Sequence, residues 1–123
     1  MKYILLTIAL TLSSLSIQAT DITGISEAFK AGDVSELVAI VNEEADLTIL
    51  KTTTKCDGTE AVELLNAFLE ANKPSDFKVL HHADKNDSGF FVGRLITESK
   101  EYRVNVTYTV EEDKLTIQSI RIE

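Results

Sequence analysis

The sequence contains little that could cross-link it or hold a metal. Across 123 residues there is one cysteine, Cys56, and there are two histidines, the neighbours His81 and His82. A single cysteine cannot form an internal disulfide, so packing alone must hold the core. A zinc site needs three or four ligands. Adjacent residues of a strand face opposite sides, so His81 and His82 cannot chelate one ion. No metal and no other cofactor is expected. Positive charge is scarce too: 12 Lys and Arg stand against 20 Asp and Glu, a formal net charge of −8. Such a surface repels phosphate backbones and anionic lipid, which argues against nucleic acid or a membrane surface as partner. A phosphate loop, a catalytic-triad motif and a basic stripe interleaved with aromatics are all missing. So is a membrane span, which takes about 17 to 25 apolar residues. The strongest apolar run, Ile4 to Leu12, is too short.

That short run has another meaning. Met1, Lys2 and Tyr3 precede it, and the small-polar stretch TLSSLSIQA follows. Basic end, apolar core and short side chains at a cut are the order of a cleavable signal peptide. Residues 1–19 are read as that peptide, with Ala19 before the cut, and the destination is the periplasm or the exterior. With no cysteine near the cut, a lipid anchor there is not expected. Cleavage leaves 104 residues (123 − 19), the size of one domain, and losing Lys2 takes the net charge from −8 to −9.

The remaining chain reads as helices first and strands last. Ile22, Ile25 and Phe29 recur at helical spacing, and Gly32 supplies a stop. Asp33 and Glu36 have the spacing of a capping box for a second short helix, with Val34, Leu37, Val38 and Val41 as its apolar stripe. Residues 45–51 alternate as a strand, and TTTKC extends it or forms a hairpin arm. Asp57 caps a third helix, with Glu60 three residues on and a wide stripe of Ala61, Leu64, Leu65, Phe68 and Leu69. Pro74 marks where that helix has already ended. Four strands follow, at about 77–82, 90–97, 102–110 and 115–122. The links between them are short and rich in turn formers, as an antiparallel meander requires. Along the third, Tyr102, Val104, Val106, Tyr108 and Val110 share one face, and Arg103, Asn105, Thr107 and Thr109 share the other. In the last, Leu115 and Ile117 are out of phase with Ile120 and Ile122, which predicts a β-bulge near Gln118 and Ser119. Strand 90–97 is apolar on both faces, so weak homodimerisation through the sheet is expected.

The expected fold is α+β, in the order α-α-β-α-β-β-β-β, with three helices packed on a curved antiparallel sheet. The segments AVELLNAFLEANKPSDFKVLHH, FFVGRLITESKEYRVNV and LTIQSIRIE, in that order and spacing, resemble the nuclear transport factor 2-like, or cystatin-like, superfamily. More closely, they resemble small exported bacterial proteins of that fold whose function is uncharacterised. The resemblance covers roughly residues 22–123 and implies a cone-shaped domain over 20–123. The matching positions are mostly structural, and members of the superfamily include isomerases, dehydratases and pure binders, so it implies no single activity.

Candidate sites divide into one pocket of four residues and several bland features. The loop DKNDSG mimics a calcium loop, but Leu95 stands where a bidentate Glu is required, so it reads as a hairpin turn. Cys56 has no base paired with it and reads as a small, partly buried residue. Asn105-Val-Thr107 falls mid-strand and is discounted as a glycosylation acceptor. The acidic runs at Glu43–Glu44 and Glu111–Asp113 read as solvated surface. His81 shares its face with Phe77 and Val79, where it reads first as a hydrogen-bonded residue at the sheet edge of the core; a working site, if the chain has one, is expected as a pocket around His81, Tyr102, Tyr108 and Phe68. No carboxylate is convincingly placed on that inner face, and no catalytic residue is assigned. The expected function is therefore a non-catalytic binding module for an apolar small molecule or an envelope protein. The alternative is a cofactor-free isomerase or dehydratase using His81 and Tyr108.

Overall fold

The computed structural model describes residues 22–123; the expected signal peptide and its cut lie outside the described residues. Helix α1 (Ile22–Ala31) buries Ile25, Ala28 and Phe29 and stops at Gly32, whose φ of 77° is the left-handed conformation glycine tolerates. The expected second helix is a 3-10 helix, Ser35–Ile40, and its period explains the difference. At three residues per turn, Val34, Leu37 and Ile40 fall in one buried line, while Val38, on the 3.6-residue stripe, is 42% exposed. The capping box does not form either. Asp33 Oδ1 instead accepts from the backbone N–H of Ser35 at 3.0 Å and from its hydroxyl at 2.5 Å, a local turn that competes with a helix cap.

Strand β1 (Val41–Ile49) begins four residues earlier than the alternation suggested, because the chain leaves the 3-10 helix directly into extended backbone. Strand β2 (Thr52–Cys56) pairs with it as a hairpin. Helix α2 (Gly58–Ala71) starts at Asp57, whose carboxylate accepts from the N–H of Glu60 at 3.0 Å. It buries Ala61, Leu65 and Leu69. Strands β3 (Pro74–Lys85), β4 (Ser88–Thr97), β5 (Glu101–Glu111) and β6 (Lys114–Ile122) follow as an antiparallel meander.

The six strands form one sheet in the order β2-β1-β6-β5-β4-β3. One pairing departs from the expected antiparallel sheet: β1 lies parallel to β6, beside which it can be placed only by a long-range contact. The bulge in β6 lies where the phase change put it. Thr107 pairs with Ser119 and Tyr108 with Ile117, so Gln118 is left over. Both apolar pairs, Leu115 with Ile117 and Ile120 with Ile122, then reach the core.

The helices cover one face of this sheet, and that face is filled. Phe29 of α1 stacks on Phe77 of β3 at a ring separation of 5.2 Å, and Phe77 meets Phe91 of β4 edge-on at 6.5 Å. Gly93 makes room for this: a Cβ there would lie 2.2 Å from the tip of the Phe77 ring. Leu65, Leu69, Leu95, Val104, Val106 and Ile117 complete a close-packed interior. Among the described residues, no helix lies on the other face.

Candidate functional site

A second bulge, in β3, decides which residues can meet. Val79 pairs with Gly93 and His81 with Val92, so Leu80 is the extra residue. A one-residue insertion exchanges the faces of everything beyond it. Phe77 therefore points to the helices, but His81 points away from them. Its ring packs against Phe90 at 5.8 Å on the open face. This corrects the expectation that His81 shares the face of Phe77. His82 is the histidine on the helix side, opposite Phe91.

The other expected members separate as well. Tyr102 and Tyr108 share a face of β5 but stand six residues apart, about 20 Å along a strand. Tyr102 meets Phe68 edge-on at 5.1 Å, and its hydroxyl donates to Asn72 Oδ1 at 3.0 Å. Asn72 in turn donates from its side chain to the carbonyl of Phe68 at 3.0 Å. Phe68 and Tyr102 thus close the C-terminal end of α2. Tyr108 is at the opposite end, where its hydroxyl donates to Asp84 Oδ1 near the β3–β4 turn. The structure brings Phe68 and Tyr102 together and keeps His81 and Tyr108 on opposite faces.

Asp84 is the residue sequence reasoning missed. It looked like one more carboxylate of a turn, yet the bulge at Leu80 places it on the helix side with His82 and Tyr108. Its Oδ2 lies 3.9 Å from His82 Nδ1. Burial first, and then the Asp84 hydrogen bond and charge, push the Tyr108 hydroxyl well above its ordinary pKa, so it is held as a donor. Gly89, the pairing partner of Tyr108, is what lets them meet. A Cβ at position 89 would sit 2.7 Å from the Tyr108 oxygen and 2.8 Å from both Asp84 Oδ1 and the Ala83 carbonyl.

The Tyr108–Asp84 pair stands between two cavities. On the helix side, a cleft of about 360 Å³ is lined by Ile22, Thr23, Val110 and Leu115 together with the pair. On the open face, a groove of about 580 Å³ runs beside the β3–β4 tip. The register builds it in two rows: Ala83, Phe90 and Thr107 in one, Lys85, Ser88 and Thr109 in the next. Gln118, freed by the β6 bulge, closes one end and is fixed there. It donates to Thr109 Oγ1 at 3.1 Å and accepts from Asn42 Nδ2 at 2.6 Å. Phe90 lies in this groove 37% exposed.

Elsewhere the expected features take quiet roles. The DKNDSG loop is a tight hairpin turn, with Asn86 at a φ of 26°. Cys56 is buried at the end of β2, and burial raises its pKa, with Glu60, Asp57 and Asp46 adding to the effect. Among the described residues, no group of three or more His, Cys, Asp or Glu is placed to hold a metal ion, and no helix is long and apolar enough to cross a membrane.

This is the cone of the nuclear transport factor 2-like class: helices over one face of a six-stranded curved sheet. A nuclear transport factor 2-like protein of unknown function from Silicibacter pomeroyi superposes with a TM-score of 0.63 at 12% identity, over 92% of this chain and 97% of that one. Within the class, the chain belongs to the family described as "Domain of unknown function (DUF4783)", whose model matches residues 22–123. A crystal structure of a family member from Bacteroides fragilis YCH46 is 36% identical, with a TM-score of 0.75, covering 83% of this chain and 97% of that one. Another, from Bacteroides uniformis ATCC 8492, is 32% identical, with a TM-score of 0.77 and coverages of 83% and 94%. No curated protein matches the chain.

Proposed function

We propose that the domain is an exported, non-catalytic binding module that takes an apolar small molecule or an apolar group of a partner protein. The binding place in this reading is the open-face groove. The observation that carries it is Phe90, a large aromatic left 37% exposed in a groove of about 580 Å³. That volume lies within the range of about 300 to 1,000 Å³ usual for small-molecule sites. The interior of the cone supports the same reading by being unavailable, since Phe29, Phe77 and Phe91 pack on one another there. Around Phe90, the Thr107 and Thr109 hydroxyls and the Gln118 amide offer the few polar groups that would orient a bound molecule. Weak self-association through this same face belongs to the proposal, and light scattering at micromolar concentration measures it.

A neutral apolar dye, N-phenyl-1-naphthylamine, tests the groove. Wild-type protein should bind it saturably with a rise in fluorescence. Phe90→Ala should weaken binding at least tenfold while melting at the same temperature. Unchanged affinity in Phe90→Ala would remove the groove as the site. Export is tested separately: intact-mass analysis of the secreted product should find Thr20 as its first residue.

A further inference from the structure

The open face of the sheet carries an arrangement that folding does not favour. Lys78 pairs across the strands with Arg94, and Arg94 pairs with Arg103. Three cations thus lie side by side in one row, in a chain whose formal net charge is −8. Like charges directly opposite on neighbouring strands are destabilising. The neighbouring carboxylates relieve this only in part. Glu101 takes the Nε of Arg94 at 3.3 Å, and Glu123 takes the Nε of Arg121 at 3.1 Å. Among the described residues, Lys78 and Arg103 form no ion pair. The row borders a cavity of about 250 Å³ lined by Arg94 and Arg103, by the carboxylates Glu101 and Glu123, and by Leu80, the bulge residue, 50% exposed.

We propose that this row is the head-group site for an amphipathic anion whose apolar body lies in the Phe90 groove. The inference rests on the groove reading above and adds the class of ligand. Three features support it. Both sites are on the same face, because residues 90, 92 and 94 of β4 alternate with the core residues 91 and 95. Positions 90 and 94 are about 13 Å apart along the strand, the length of a medium-chain acyl group. At the far end, the guanidinium groups of Arg94 and Arg103 can meet a carboxylate with paired hydrogen bonds, which a lysine alone cannot supply.

Decanoate and its uncharged analogue decanol, titrated by calorimetry, test the proposal. Wild type should bind decanoate at least tenfold more tightly than decanol. Arg103→Gln should erase that preference by weakening decanoate only, and Phe90→Ala should weaken both. Arg103→Gln should also hold or raise the melting temperature, since it removes one of the opposed charges, so lost binding cannot be laid to lost folding. Equal affinity of wild type for the two compounds would overturn the anion assignment and leave the groove standing. Failure of both to bind would overturn the groove and the assignment together.

Discussion

Phe90 and Phe91 are neighbours in the chain and opposites in the fold. Phe91 is fully buried beneath α1 against Phe77, while Phe90 is 37% exposed on a face that no helix of the described residues covers. The same contrast runs along the whole of β4 and β5. On the helix side Leu95, Val104 and Val106 are closed off from water, and on the other side Arg94, Arg103, Asn105 and Thr107 are not. Strand alternation produces both faces from one stretch of sequence. The covered face has spent its apolar surface on cohesion, and the open face keeps an aromatic, a groove and a row of cations that cohesion does not use. The packed and the open surface are thereby separated by a single residue step.

Substitutions can break that contrast. The largest effect should come from Phe77→Ala, which removes a ring packed against both Phe29 and Phe91. Burial and cavity formation together should cost about 3 to 5 kcal/mol, read from urea unfolding. Gly89→Ala acts at the boundary between the faces. Its Cβ would collide with the Ala83 carbonyl and with both members of the Tyr108–Asp84 pair. A loss of about 1 to 3 kcal/mol is expected from the forced shift, with the groove deformed as well. Tyr108→Phe keeps the ring and deletes the hydrogen bond. About 1 kcal/mol should be lost, since Asp84 is largely exposed.

Tyr108 also supplies a pH signature. Its native pKa is raised, so the folded protein keeps a proton that the unfolded chain releases near pH 10. The stability it contributes is complete below pH 10 and falls as pH rises above it. Unfolding free energy measured from pH 9 to 11.5 should decline more steeply in wild type than in Tyr108→Phe. Parallel curves would mean that Tyr108 does not hold its proton. The smallest effect should be that of Phe90→Ala, within about 0.5 kcal/mol of wild type. A larger loss would mean that the open face does contribute to cohesion.

Much of the covered face was legible in the sequence, and much of the open one was not. Alternation along Tyr102–Val110 announces a half-buried strand directly. The bulge at Gln118 was readable because apolar residues on both sides of it reveal the change of phase. The bulge at Leu80 has no such marker. Val79, Leu80, His81 and His82 do not alternate, so nothing local fixes where the face changes: the expected place of His81 beside Phe77 does not hold, and the side on which Asp84 lies could not be read at all. The short second helix was ambiguous because Val34 and Leu37 satisfy both the three-residue and the 3.6-residue period. The parallel partner of β1 could not be read from any local pattern, since it is chosen by distant packing.

The parallel pairing of β1 with β6 also sets an order of events. Asn42 and Gln118, hydrogen-bonded across this junction, are 76 residues apart. A contact so remote must close a long loop of chain before it returns any stability, which makes it a late and slow step. Until β6 arrives, both edges of the β1–β2 hairpin are open, and Leu47 lacks its neighbour Ile120. A nascent chain that has reached only Glu111 therefore cannot complete the domain, however well its helices form. The sheet closes only when the last strand is delivered, and a chain stopped before Lys114 should be cut by protease in the β1–β2 hairpin, which then has no strand to join it to the rest of the sheet.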